Sequence, residues 1–194
     1  MHTLDEWFTE LRRRLKDAER LSNRGDDPIY YFVFPPKHMM YVKRKTGVWK
    51  SQLQKKDGWN VHVLSLAEKL NSFFLEHPNR EDWLEYSKEH PDDFTTVFDD
   101  QADVLMQENP IKKWIMDAME KASQQARGLL LLTDLEAIHP YLRIGTVEQQ
   151  LQGKCRVPLV ILYPGVRSGR SALRFLGVYP PDGNYRSVHI GGSL

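Results

Sequence analysis

Leu129-Leu130-Leu131-Leu132-Thr133-Asp134 and Val157-Pro158-Leu159-Val160-Ile161-Leu162-Tyr163-Pro164-Gly165 decide the fold of this chain. Each is a short, nearly unbroken apolar run, and a helix-length amphipathic segment lies between them. Strands buried on both faces read this way, and they belong to a parallel sheet covered by helices. Both runs end in residues that close a strand, Thr133-Asp134 and Pro164-Gly165. The loops after them are expected together at one sheet edge, where ligand chemistry in open α/β sheets sits. Neither loop carries a complete catalytic or phosphate-binding signature.

Working outward, Leu4, Trp7, Phe8, Leu11, Leu15 and Ala18 recur at helical spacing and predict an amphipathic helix over residues 3 to 22. Ile29 to Phe34 reads as a buried strand closed by Pro35-Pro36, and Val61 to Leu64 as a second strand. Tyr41 to Lys56, between them, is helical and strongly basic. Ser65 is placed to cap a helix carrying Leu66, Leu70, Phe73, Phe74 and Leu75. Short helical patterns follow around 83–86 and 94–106, and Pro110 opens a helix through Trp114, Ile115, Met119 and Ala122. Another short helix is expected at Val147 to Leu151. Leu173 to Tyr179 and Tyr185 to Ile190 alternate across a Pro180-Pro181-Asp182-Gly183 turn and predict a terminal hairpin. The expected fold is therefore layered α/β: a mainly parallel central sheet, helices on both faces and a C-terminal antiparallel hairpin at the edge. Residues 1–194 are expected to form a single domain with an acidic helical insertion around 77–109.

At 194 residues, 41% hydrophobic and 27% charged, the chain suits one folded core. No stretch reaches the roughly 20 apolar residues that span a bilayer, and the N-terminus lacks the basic and apolar regions of a secretory signal. A single cysteine, Cys155, leaves no internal disulfide and no CxxC pair. A cytoplasmic protein with no membrane contact is expected. Charge is segregated. Lys37, Lys43, Arg44, Lys45, Lys50, Lys55 and Lys56 face no acid between residues 37 and 56, residues 76–103 hold ten acids against Arg80 and Lys88, and from Gly153 onward Lys154, Arg156, Arg167, Arg170, Arg174 and Arg186 face only Asp182. Such blocks either form opposed patches for a charged partner or for phosphates, or belong to helix faces that neutralise one another in the fold; the second reading is favoured.

Candidate chemistry is incomplete at each place it is sought. The turn after the first strand, Phe34-Pro35-Pro36-Lys37-His38-Met39-Met40, stands where GxxxxGK[ST] would cradle a nucleotide, but two prolines remove amide donors and no glycine frees the backbone. Gly165-Val166-Arg167-Ser168-Gly169-Arg170-Ser171 is one residue short, carries arginine for lysine and precedes a strand pattern; an ordinary glycine-rich loop is favoured. The run ending in Asp134 and Glu136 resembles the apolar strand and acidic end that hold magnesium in such ATPases. Without a cradle, local hydrogen bonds accepted by Asp134 and Glu136 from loop amides are favoured, in a degenerate P-loop-NTPase-like layout. The seven histidines show no HExxH or HxH spacing, and Cys155 has no adjacent base. Trp49, Trp59, Tyr30, Tyr31 and Tyr41 around the basic block either stack nucleic-acid bases or fill the core, the core being favoured.

Val160-Ile161-Leu162-Tyr163-Pro164-Gly165, Leu173-Arg174-Phe175-Leu176-Gly177 and Asn184-Tyr185-Arg186 together resemble the signature of the BrxB family, small proteins of bacterial BREX phage-exclusion systems. Tyr31-Phe32-Val33-Phe34-Pro35-Pro36 and Asp82-Trp83 are compatible with it. The resemblance implies a role in phage defence alongside a DNA methyltransferase, a large ATPase and PglZ, a protein with an alkaline-phosphatase-like domain, and it carries over no catalytic residue. The expectation is a non-enzymatic accessory or adaptor without cofactor or metal, binding another BREX component, PglZ foremost. Its contact is expected at Arg167, Arg170, Arg174, Tyr185 and Arg186, since arginine and tyrosine suit interface hot spots. The alternative is a nucleic-acid-binding subunit using Lys43, Arg44, Lys45, Lys50, Lys55 and Lys56, with DNA contacted in the complex. A degenerate nucleotide-binding protein, Asp134 and Glu136 holding metal, is the second alternative.

Overall fold

The computed structural model describes residues 3–21, 27–169, 172–181 and 187–192. Among them seven α-helices and six strands follow in the order α1 (Leu4–Leu21), β1 (Ile29–Phe34), α2 (Met39–Asp57), β2 (Asn60–Ser65), α3 (Leu66–Glu76), α4 (Arg80–Glu89), α5 (Thr95–Glu108), α6 (Pro110–Ser123), β3 (Gly128–Thr133), α7 (Ile144–Leu151), β4 (Leu159–Ser168), β5 (Ala172–Phe175) and β6 (Val188–Gly191). Five strands run parallel in the order β2-β3-β4-β1-β6, and β5 pairs antiparallel with β4. The layered α/β fold expected from the apolar runs is the fold observed.

Its layers follow from the two-residue period of a strand. Leu129, Leu131, Val160, Leu162, Phe32 and Phe34 point to one side of the sheet, where α1 contributes Phe8, Leu11 and Leu15 and α2 contributes Val42, Trp49 and Leu53. Leu130, Leu132, Leu159, Ile161, Tyr31 and Val33 point to the other, against Leu66 and Leu70 of α3, Ile111 and Ile115 of α6 and Val147 and Leu151 of α7. The continuous Leu129 to Leu132 run is thus two interleaved faces, each covered. Burying one such side chain is worth about 1.5–3 kcal/mol. Gly128 starts β3 because α6 ends against it: a Cβ there would lie 1.9 Å from the Ala122 carbonyl oxygen.

Three expectations are corrected. The β4 strand does not stop at Pro164-Gly165 but runs to Ser168, because β5 folds back along it with Gly165 opposite Phe175. Gly165 serves that close approach, since a Cβ would meet the Arg174 carbonyl oxygen at 2.4 Å. The antiparallel hairpin is therefore β4–β5. The last strand does not pair with β5; β6 lies parallel to β1, Tyr31 opposite His189, at the sheet's far side. Finally, the basic block at 37–56 and the acidic block at 76–103 do not pair with each other: among the described residues no ion pair joins them. The basic helix α2 packs on one face of the sheet, whereas Leu105 anchors α5 in the core of the opposite face. The segment at 77–109 forms α4 and α5, linked to α3 by Trp83 edge-on to Phe74.

Candidate functional site

All five parallel strands point their C-terminal ends the same way, so the segments leaving β1, β2 and β3 converge. From β1 the chain turns through Pro36–His38 into α2 on one face, while from β3 it passes through Leu135–Ala137 toward α7 on the other. A cleft of about 160 Å³ opens where they part, at the switch point where α/β sheets hold ligands. Its apolar walls are Phe34, Val42 and Leu162; its polar side is Lys43, Thr133, Asp134 and Glu136.

Asp134 stands in the left-handed region at φ 58°, a conformation that Asp tolerates because its short side chain bonds locally. One carboxylate oxygen accepts hydrogen bonds from Ser65 Oγ at 2.6 Å and Thr133 Oγ1 at 2.8 Å. Ser65 also caps α3 by accepting from the Glu68 amide at 3.2 Å, so it ties the ends of β2 and β3 together. The other Asp134 oxygen lies 2.9 Å from Lys43 Nζ, and Glu136 Oε1 lies 2.5 Å from the same ammonium. Burial pushes the Asp134 carboxyl up, but Ser65, Lys43 and Thr133 outweigh it and hold the group below the usual carboxylate range. Glu136 first, then Asp134, raise the Lys43 ammonium above its ordinary value against burial. The expected hydrogen bonds, accepted by Asp134 and Glu136 from loop amides, are replaced by these side-chain partners. The cation between the two acids is thus supplied by the chain itself. On the opposite wall Pro35 and Pro36 bring no amide donor, and the His38 amide is spent on the Pro35 carbonyl at 2.9 Å.

Of the arginines expected at a partner surface, Arg170 lies outside the described residues, as do Tyr185 and Arg186. Arg167 pairs with Leu173 across the hairpin, and Arg174 with Val166. Directly opposed residues share a face and successive residues alternate, so Arg167 and Arg174 point to opposite faces. Arg174 Nε donates to the Tyr179 carbonyl at 3.5 Å. Arg167 lies toward His189, whose imidazole burial pushes down to about 4, with the Arg167 charge adding to the effect.

The basic residues sort likewise. Lys43 is held by Asp134 and Glu136, and Lys45 sits over the Tyr41 ring at 5.3 Å. Arg44, Lys55 and Lys56 are exposed, Lys50 is half-buried, and none of the four forms an ion pair among the described residues. Trp49, Trp59, Tyr30 and Tyr31 are core residues, leaving Tyr41, 38% exposed, as the one aromatic of that set open to stacking. Sequence reading missed Glu148, which is buried and accepts a hydrogen bond from the Tyr31 hydroxyl at 2.7 Å. The signal was present: with Ile144, Val147 and Leu151, Glu148 occupies the apolar stripe of α7. Among the described residues no group of three or more His, Cys, Asp or Glu side chains is arranged to hold a metal.

The family model described as BREX protein BrxB matches residues 68–190, from α3 through the acidic end of β3 and the β4–β5 hairpin to β6. The chain belongs to the BrxB family. The resemblance carried by the C-terminal motifs is therefore correct, and membership makes the protein a component of a BREX phage-defence system. The matched segment includes Asp134 and Glu136 but not Lys43 or the rest of α2. No curated protein and no solved structure matches the chain. No helix among the described residues is long and apolar enough to cross a membrane.

Proposed function

We propose that the protein is a non-enzymatic adaptor of the BREX machinery that binds another of its components, PglZ foremost, and helps to assemble or position the complex. The observation that carries this reading is the Lys43 ammonium between Asp134 and Glu136. The cleft where this fold would hold a ligand has its acids paired within the chain and no glycine-rich cradle opposite them. Function then rests on surface, and the β4–β5 hairpin offers directional donors on both of its faces in Arg167 and Arg174.

Size-exclusion chromatography with light scattering, on the chain alone and mixed with PglZ of the same system, tests the reading. Co-elution at a defined stoichiometry is expected. Because the two arginines face opposite ways, one of R167E and R174E should break the complex while the other leaves it. Separate elution of the wild-type chain from PglZ and from the other BREX components would refute the adaptor role.

A second reading, nucleic-acid binding by α2, is favoured by the exposure of Arg44, Lys55 and Lys56 in a segment without acids. It requires affinity for duplex DNA that falls steeply with salt as counterions are released. Absence of a gel shift at low salt would remove it for the isolated chain.

A further inference from the structure

The strongest unabsorbed feature of the molecule is its pair of opposed charged faces. Residues 37–56 carry seven bases and no acid; residues 76–103 carry ten acids and two bases. The first block is α2, held to its face of the sheet by Val42, Trp49 and Leu53, and the second is α4 and α5, held to the other face through Leu105. Among the described residues no ion pair joins them. The two patches thus lie on opposite faces of the sheet and form no ion pair with each other.

Both patches also expose apolar side chains in helical register with the charges. On α2, Met40, Arg44 and Val48 follow at four-residue steps, with Met40 63% and Val48 49% exposed. On α5, Asp99, Asp103 and Met106 form the matching stripe, with Met106 60% exposed and Phe94, just before the helix, 79% exposed. A face that only needs to be hydrated has no use for exposed Met and Phe, whereas Met and aromatic residues are enriched in protein contacts. The two stripes thus each set exposed apolar side chains beside exposed charge, and are opposite in sign. We infer that they are the two halves of one contact, the basic face of α2 in one copy of this chain docking on the acidic face of α4 and α5 in the next.

The geometry fixes the kind of assembly. The two surfaces differ and lie on opposite sides of the sheet, so the contact is heterologous. Each copy keeps one free face of each sign, and the assembly grows into a ring or an open chain instead of stopping at a two-fold dimer. Lys43 and Lys45, engaged within the molecule, take no part. Arg44 and Lys55, exposed on α2, are the bases it uses, and Asp99 and Asp103, exposed on α5, the acids. The contact is steered by charge and weakened by salt. It does not depend on the adaptor reading, since self-association and co-elution with PglZ are scored in separate runs.

Sedimentation velocity on the full chain over a wide concentration range, at about 0.05 M and about 0.5 M salt, tests it. At low salt the mass should climb with concentration beyond twice 22.7 kDa; at high salt it should fall to the monomer. R44E with K55E should weaken the association by at least about tenfold with no change in the unfolding midpoint, because both side chains are exposed. D99K with D103K should do the same, and all four substitutions in one chain should restore assembly. A monomer at every concentration in low salt would overturn the inference, as would association that survives both reversals. A monomer that instead retains duplex DNA through Arg44 and Lys55 would overturn it too, assigning the basic face to phosphates.

Discussion

Replacing Lys43 with Met isolates the feature on which the functional reading rests. In the wild-type protein one ammonium serves Asp134 at 2.9 Å and Glu136 at 2.5 Å. A charge-assisted hydrogen bond contributes about 1.5–3 kcal/mol when well shielded. Here the Lys43 side chain is 42% exposed and Glu136 26%, so solvent screens the pair and the lower end applies. Met keeps the stem against the cleft wall but leaves two carboxylates facing each other. We expect a loss of about 2 kcal/mol, a fall of about 4–8 °C in melting temperature for a chain of this size. The loss depends on pH with a definite sign. Asp134 titrates below its ordinary value in the fold, so the stability tied to its ionised form is present above the usual carboxylate range and disappears as pH falls through it. The gap between wild type and K43M is therefore widest near neutrality and closes in acid. K43R should retain most of the stability. Thermal melts of the three proteins across pH, with and without Mn²⁺, provide the assay. The vacated carboxylate pair should bind the metal and recover part of the lost stability in K43M only. A K43M melt that overlays the wild type at all pH values would refute the claim that Lys43 holds the acids. Stabilisation of the wild type by Mn²⁺ with ATP would reopen the nucleotide reading.

Two further outcomes follow from groups remote from the cleft. The Asp57 carboxylate, wholly buried at the end of α2, takes Arg12 at 2.5 and 2.9 Å and Lys16 at 3.0 Å, pinning α1 to α2. Burial opposes its ionisation, but Arg12 and Lys16 hold it below the ordinary range. D57N should cost about 1–2 kcal/mol in denaturant unfolding, since the bonds to the buried carboxylate weaken while Arg12 and Lys16, 21% and 52% exposed, keep access to water; a cost below about 0.5 kcal/mol would show that α1 is held by its apolar stripe alone. His189, lowered from 6.5 to about 4, prefers its neutral form in the fold. The unfolded chain takes up the proton first, so stability is lost as pH falls from about 6.5 toward about 4. Partial solvation reduces the effect to about 1–2 kcal/mol between about pH 7 and about pH 5. H189Q should be flatter than the wild type over that interval, and parallel curves would refute the assignment.

The sequence alone determined what depends on neighbours along the chain. A helix or strand announces itself by the period of its apolar residues, so Ile29 to Phe34, the Leu129 run, the α1 stripe and the Ser65 cap were all legible, and with them the α/β layering. The C-terminal motifs carried the family in the same way, because they are contiguous. What required tertiary structure is whatever joins distant residues. Nothing local says that β6 will lie beside β1, since the alternation at Val188 to Ile190 suits any neighbouring strand and only the packed sheet selects one. Nothing local says that β4 will run through Pro164 and Gly165, because a glycine needed for close approach reads the same as a glycine in a turn. Lys43 belongs to a basic block in the sequence and to an acid pair 91 residues away in the fold. The charge of α2 and of α4–α5 was equally plain to read, yet whether the two blocks meet or face apart is decided by which side of the sheet each helix buries its apolar stripe against, and that is a property of the assembled core.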